Sequence, residues 1–111
     1  MDLNEYQKRA GATAVYPNQG EFLGLVYVAL KGAGEAGEFA EKVGKAMRDD
    51  NLTLTDKRRH DLIIELGDRL WYVQQAATEL GVTLTEVAEL NLAKLVSRHE
   101  RGKIHGEGDN R

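Results

Sequence analysis

Apolar residues recur at helical spacing along most of the chain. In a short leading segment, Leu3 and Tyr6 share one face of a helix that ends near Gly11. The only proline, Pro17, then interrupts this spacing. Beyond it, apolar residues return every three or four positions, which predicts one long helix over about residues 21–49.

Two further helices are predicted after the long one. Thr53, followed three residues later by Asp56, resembles a helix start, and apolar spacing then extends to about Leu80. Gly81 is placed like a C-cap glycine. The stretch "TLTE", residues 83–86, fits a capping box and opens a fourth helix.

These elements predict an all-α fold with three main helices and a short N-terminal helix. We expect a single domain over residues 1–111, with a flexible, glycine-rich tail over about 103–111. Because 111 residues supply only a modest core, we expect the helical bundle to complete its core by oligomerisation.

Composition narrows the functional classes. The 15 basic and 18 acidic residues are interspersed, which argues against nucleic acid as a partner. The chain has no cysteine, so thiolate metal sites and thiol nucleophiles are excluded. It has neither a basic start followed by an apolar run nor an apolar stretch of membrane-spanning length, so we expect a cytoplasmic protein with no membrane partner.

Two pairs of acidic residues lie in the second and third predicted helices. The stretch "GEAGEFAEK" contains Glu35 and Glu38, and "IELGDRLWY" contains Glu65 and Asp68. Residues three apart share a helix face, and the 26 residues between the pairs allow the third helix to return antiparallel to the second. Four carboxylates would then meet in one cleft and repel one another unless cations neutralise them. The pattern therefore predicts a site for a hard divalent cation such as Mg²⁺.

Glycines accompany these acids. Gly34, Gly37 and Gly67 would leave room for a ligand or for close approach of the helices. Gly32 and Gly34 also mark where the long helix could become irregular.

Two alternatives to a catalytic metal site stay open at this point. The acids could form the solvated or partner-binding face of a non-catalytic helical interaction module, with Lys42 relieving Glu38 and Lys45 relieving Glu41. A di-iron carboxylate bundle would instead need Glu-x-x-His on two helices, and neither acid pair has a histidine at its second position.

Several stretches, in this order, resemble one protein family. The sequences "LKGAGEAGEFAEKVGKAMRD", "ELGDRLWYV", "AELNLAKLVSR" and "GEGDNR" are similar to those of MazG-like all-α nucleoside triphosphate pyrophosphohydrolases, including small single-domain members carried by phages. The resemblance implies hydrolysis of a ribo- or deoxyribonucleoside triphosphate to the monophosphate and pyrophosphate, with Mg²⁺ as cofactor and Mn²⁺ as a substitute. It also implies a homodimer or a dimer of dimers.

The resemblance also assigns roles to residues. The metal ligands would be Glu35, Glu38, Glu65 and Asp68, and Glu38 could also accept the proton of the attacking water, or act purely as a ligand. Lys42 and Glu41 are expected to be surface residues, and the aromatic candidates for base contacts are Tyr16, Phe22 and Trp71. The expected substrate-binding residues are Lys45, Tyr72, Asn91, Lys94 and Arg98.

Overall fold

The computed structural model describes residues 1–102, which form four α-helices and their connections. Helix α1 spans Leu3–Gly11, α2 spans Phe22–Asp49, α3 spans Asp56–Glu79 and α4 spans Leu84–Glu100. The predicted all-α fold, with one short and three main helices, is therefore confirmed. The predicted flexible tail at 103–111 lies outside the described residues.

Local signals account for most helix ends. Helix α4 begins after Thr83, whose side chain accepts a hydrogen bond from the Glu86 amide at 3.1 Å. Helix α3 ends at Glu79, and Gly81, with φ of 74°, lets the chain close a Schellman turn in which the Val82 amide donates to the Ala77 carbonyl at 3.0 Å. Both predicted caps are confirmed.

Two expectations about helix boundaries and continuity were wrong. Helix α3 begins at Asp56 with Thr55 as its cap, whereas Thr53 donates its hydroxyl to the Asp50 carbonyl. The start moves because Asn51 and Leu52 take left-handed φ values of 55° and 61°, which place the turn before Thr55. Helix α2 is continuous over its 28 residues, so its glycines produce no break.

Helices α2 and α3 form an antiparallel pair that is the main packing unit of the described chain. Gly32 lies against Tyr72, and Lys42, later in α2, contacts Glu65, which is earlier in α3. The two helices therefore run in opposite directions. Helix α1 packs on α3 and α4, whereas α4 contacts α1 and α3 but not α2.

The described chain buries few apolar side chains. Its buried apolar residues are Tyr16, Val28, Ala46, Ala77 and Leu84. Many leucines remain exposed, including Leu30 at 69% and Leu90 at 67%. Apolar surface on this scale is typical of protein interfaces. Oligomerisation stays a prediction that this surface supports.

Hydrogen bonds fix the N-terminal segment on α3. The Trp71 indole donates to the Ala10 carbonyl at 3.2 Å and contacts the Thr13 hydroxyl at 3.0 Å. The buried Tyr16 hydroxyl donates to Glu79 and accepts from Gln75 at 2.8 Å. These contacts hold α1 and the following loop beside the C-terminal half of α3.

Candidate active site

Three of the four predicted carboxylate ligands converge between α2 and α3. One oxygen from each of Glu35, Glu38 and Glu65 can be chosen so that all three lie within 4.8 Å of one another. Glu35 and Glu38 share a face of α2 because they are three residues apart, and the antiparallel packing of α3 brings Glu65 opposite them. The structure thus brings together, from two helices, three of the four carboxylates that the spacing predicted to meet.

The cluster is partly removed from solvent. Glu65 is only 5% exposed and Glu35 is half-buried, while Glu38 is exposed. Burial raises the pKa of the Glu35 carboxyl, and the nearby carboxylates of Glu38, Asp68 and Glu65 raise it further. The surrounding carboxylates make the Glu35 carboxyl hard to ionise. A bound cation would have the opposite effect, because it would stabilise the ionised carboxylate.

Two buried oxygens of the cluster are available as ligands. Oε2 of Glu35 and Oε2 of Glu65 have no hydrogen-bond partner among the residues that the structure describes. A buried acceptor without a partner is destabilising by about 1–3 kcal/mol. Carboxylate oxygens are also the donors that Mg²⁺ and Mn²⁺ prefer. The residues present therefore fit a divalent cation.

The surface interpretation of Lys42 was wrong. Its Nζ lies 2.6 Å from Oε1 of Glu65, across the helix pair, rather than beside Glu38 on its own helix. The side chain of Lys42 is 35% exposed and that of Glu65 is 7% exposed. Lys42 therefore belongs to the carboxylate cluster. Glu41 does take the expected surface position, paired with Lys45 at 3.5 Å.

Asp68 lies beside the cluster, in a cavity of about 360 Å³ that Glu35 also lines. It is exposed and raises the pKa of Glu35 and that of the Tyr6 hydroxyl. It is not one of the three carboxylates that approach within 4.8 Å. Glu35 is thus the residue common to the carboxylate cluster and the cavity.

Aromatic side chains form most of the remaining wall of this cavity. Tyr16 and Tyr27 stack with their ring centroids 5.1 Å apart, and Trp71 meets the edge of Tyr72 at 4.9 Å. Burial raises the pKa of the Tyr72 hydroxyl, with further contributions from Tyr27, Glu35 and Asp68. No lysine or arginine within residues 1–102 lines the cavity. We refer to it as the aromatic cavity; its five rings are those of Tyr6, Tyr16, Tyr27, Trp71 and Tyr72.

The other predicted substrate-binding residues lie at several places. Tyr72 lines the aromatic cavity, and Lys45 stands two helical turns after Glu38 on α2. Asn91 and Lys94 line a separate depression with Leu90, and Arg98 is buried on α4. Within the described residues, α4 packs on α1 and α3 but not on α2, the helix that carries Glu35 and Glu38, and none of these three α4 residues lines the aromatic cavity.

Sequence reasoning missed four cavity residues, and one of its two suggestions for the glycines was wrong. Tyr6, Thr13, Val15 and Tyr27 line the cavity, and only the aromatic character of the two tyrosines could have drawn attention to any of them. An added Cβ would meet nothing within 4 Å at Gly34, Gly37 or Gly67. These glycines therefore do not serve close helix approach, whereas the open space beside them agrees with the other suggestion, room for a ligand. Close approach occurs instead at Gly32, where a Cβ would lie 3.3 Å from that of Tyr72, and at Gly24.

Comparison with known proteins decides the family. The model of the MazG nucleotide pyrophosphohydrolase domain matches residues 28–102, the part of the chain that carries all the proposed carboxylate ligands. This chain belongs to the MazG family. The chain is also 48% identical over 114 residues to the Gene 37 protein of Mycobacterium phage L5, with both chains covered in full. No solved structure matches the chain.

The MazG match begins after the N-terminal segment. Tyr6, Thr13, Tyr16 and Tyr27 therefore precede the matched region, although they line the same cavity as Glu35 and Asp68. The phage relative, in contrast, is similar along the whole chain. None of the described helices is long and apolar enough to cross a membrane.

Proposed function

We propose that this MazG-family protein hydrolyses ribo- or deoxyribonucleoside triphosphates between the α and β phosphates, releasing a monophosphate and pyrophosphate. The observation that carries the proposal is the convergence of Glu35, Glu38 and Glu65 within 4.8 Å, from two helices of a MazG domain. Acidic side chains on a solvated face would be expected to point away from one another, because like charges repel.

Glu35, Glu38, Glu65 and Asp68 are the proposed ligands of Mg²⁺, for which Mn²⁺ could substitute. When bound, such a cation neutralises phosphate charge and lowers the pKa of a bound water. Glu35 and Glu65, each with a buried oxygen that has no partner among the described residues, and the exposed Glu38 and Asp68 would hold that cation.

Glu38 is the proposed general base. It is the exposed member of the three converging carboxylates, so water can reach it while it remains within 4.8 Å of Glu35 and Glu65. Proton acceptance by a positioned carboxylate requires such access. Glu65, with one oxygen held by Lys42, is less suited to this role.

The aromatic cavity is the proposed nucleoside site. A triphosphate is strongly anionic, and a wall that contains Glu35 and Asp68 and, among residues 1–102, no lysine or arginine would repel it. The cavity would instead accept the neutral base and sugar, because exposed aromatic faces favour stacking with a base. Its volume of about 360 Å³ lies at the lower end of the range of about 300–1,000 Å³ for small-molecule sites.

Residues on α4 would complete the site only in an assembly. Asn91, Lys94 and Arg98 are proposed to bind substrate, but α4 lies away from α2 within one protomer. We therefore propose a homodimer or dimer of dimers in which α4 of one copy approaches the carboxylates of another. Lys45, on α2 itself, is proposed to contact the phosphates from the same protomer.

The proposal is tested by incubating the protein and Mg²⁺ with all common and oxidised ribo- and deoxyribonucleoside triphosphates. Pyrophosphate and nucleoside monophosphate should appear in equal amounts, and chelation of the metal should stop both. Release of orthophosphate would place the cleavage at another bond and contradict the proposal. Absence of turnover with every nucleotide would favour the alternative, a non-catalytic helical interaction module.

The nucleoside site has its own readout, because Trp71 is the only tryptophan of the chain. Monophosphates should change its fluorescence after correction for nucleotide absorbance, whereas inorganic pyrophosphate should not. Replacing Tyr6 with alanine should weaken this response, and replacing the exposed Phe22, which does not line the cavity, should leave it intact. An equal response to pyrophosphate alone would contradict the nucleoside site.

A further inference from the structure

Lys42 places a positive charge inside the carboxylate cluster. Its Nζ contacts Oε1 of Glu65 at 2.6 Å, while Oε2 of the same carboxylate is buried without a partner among the described residues. Lys42 also lies four residues after Glu38 and seven after Glu35, and therefore on the same face of α2. A single ammonium thus contacts Glu65, whose carboxylate converges with those of Glu35 and Glu38.

The contact between Lys42 and Glu65 is short, but solvent can reach the lysine side chain. The Lys42 side chain is 35% exposed, so its flexible stem can swing outward without disturbing the helix pair. The hydrogen bond with Glu65 is the main cause of its raised pKa, to which Asp61 and Glu38 add while desolvation opposes. Lys42 therefore carries its charge at neutral pH.

We propose that Lys42 is an internal counterion that competes with the divalent cation for Glu65 and binds a substrate phosphate once it leaves Glu65. This inference rests on the proposed function, since it concerns the same metal and phosphate site. Its consequence is that cation binding and phosphate binding strengthen each other through one lysine.

Lys42 contacts Oε1 of Glu65 and the cation would use its Oε2, so the expected competition is one of charge. A divalent cation bound by Glu35, Glu38 and Glu65 would lie close to the Lys42 ammonium, and the two positive charges would repel. Moving Nζ from Glu65 to a phosphate oxygen removes this repulsion and replaces one charge-assisted hydrogen bond with another. Phosphate should therefore tighten cation binding, and by thermodynamic reciprocity the cation should tighten phosphate binding by the same factor.

The experiment measures Mn²⁺ affinity by isothermal titration, with and without an inert triphosphate analogue that carries a methylene group between the α and β phosphorus atoms. Three proteins are compared: wild type, Lys42→Met and Lys57→Met. Lys57 is the matched control, because its side chain is 83% exposed and pairs on α3 with Asp61 at 2.7 Å, outside the converging carboxylates. A fourth variant, Lys42→Arg, keeps the charge.

Without the analogue, Lys42→Met should bind Mn²⁺ roughly tenfold more tightly than wild type, because the competing charge is gone. The analogue should tighten Mn²⁺ binding in all proteins through direct phosphate–metal contacts, but by a smaller factor in Lys42→Met. Lys57→Met should match wild type, and Lys42→Arg should retain most of the wild-type coupling. Helical content by circular dichroism checks each variant.

Weaker Mn²⁺ binding in a folded Lys42→Met variant would overturn the inference, because it would mean that Lys42 orients Glu65 for the metal. An unchanged coupling factor would overturn it as well. If Lys42→Met does not fold, Lys42→Gln replaces it in the same comparison. The analogue is not cleaved, so these results stand apart from the turnover assay: lack of pyrophosphate release would contradict the proposed function and leave the coupling measurement intact.

Discussion

Glu35 on α2 and Glu65 on α3 each bury one carboxylate oxygen that has no hydrogen-bond partner within residues 1–102, and these carboxylates approach within 4.8 Å of each other. Both features lower stability, since unpartnered buried acceptors and adjacent like charges are unfavourable. The arrangement is understandable if the two oxygens are ligands of a cation. The predictions on metal binding and activity follow from this relationship.

Mg²⁺ should raise the melting temperature, and the rise should depend on pH. The folded-state pKa of Glu35 lies above its ordinary value of 4.5, so the folded chain holds this proton more tightly than the unfolded chain does. In the metal-free protein, protonation of Glu35 therefore stabilises the folded state at pH values below its folded-state pKa. This contribution to the free energy of unfolding is lost as the pH rises through that pKa. Mg²⁺ competes with the proton, so its stabilisation should be greatest above that pKa and shrink below it.

The measurement is thermal unfolding followed by circular dichroism, with Mg²⁺ or with chelator at matched ionic strength, over a series of pH values. A Glu35→Gln variant should show a smaller Mg²⁺ effect. The same Mg²⁺ shift at every pH, or none at all, would contradict the cation site.

Tyr16 should remain protonated to unusually high pH. Burial and the hydrogen bond to Glu79 raise the pKa of its hydroxyl to about 12, from an ordinary value of 10.0. The unfolded chain loses this proton first, so stability should fall as pH rises from about 10 towards about 12. Because burial also raises the pKa values of Tyr6 and Tyr72, ultraviolet titration should show Tyr16 as the last of the four tyrosines to ionise, and Tyr16→Phe should remove that last step. Simultaneous ionisation of all four tyrosines would show that the Tyr16–Glu79 contact is not formed.

Gly24 should not tolerate alanine, in contrast to Gly44 on the same helix. A Cβ at Gly24 would lie 2.4 Å from the Asn18 carbonyl oxygen and 2.9 Å from Oε1 of Glu79. Overpacking of this kind costs about 1–3 kcal/mol of unfolding free energy. At Gly44 nothing lies within 4 Å of the added Cβ, so alanine should add about 0.5–1 kcal/mol through helix propensity. Urea unfolding of both variants measures the difference, and equal effects would contradict the close approach at Gly24.

Short-range sequence patterns predicted the helices because apolar spacing and capping depend on residues that are close together in the sequence. The caps at Thr83 and Gly81 depend on residues within one turn, and both were found where the sequence placed them. The start of α3 was misplaced because Thr53 and Thr55 both have hydroxyls suited to capping. Choosing between them requires the left-handed turn at Asn51 and Leu52, which no helical spacing encodes.

The acid pairs were recognisable because each lies on one helix face, but their surroundings depend on packing between helices. Lys42 was assigned to Glu38 because that pairing is local, whereas its observed partner, Glu65, is determined by the register of α2 against α3. The sequence did not predict that Tyr6 lines the cavity, for the same reason. Its place in the cavity depends on how α1 sits on α3, which the Trp71–Ala10 hydrogen bond fixes.

The most direct test of the central claim is pyrophosphate release by Glu38→Gln compared with Glu41→Gln. Both substitutions remove one negative charge from the same helix, but Glu38 belongs to the converging carboxylates and Glu41 pairs with Lys45 at the surface. With Mg²⁺ and the best substrate, turnover by Glu38→Gln should fall by roughly 10²-fold or more while its helical content is retained. Turnover by Glu41→Gln should stay close to wild type. Wild-type rates of pyrophosphate release in Glu38→Gln would contradict the assignment of the carboxylate cluster as the catalytic centre.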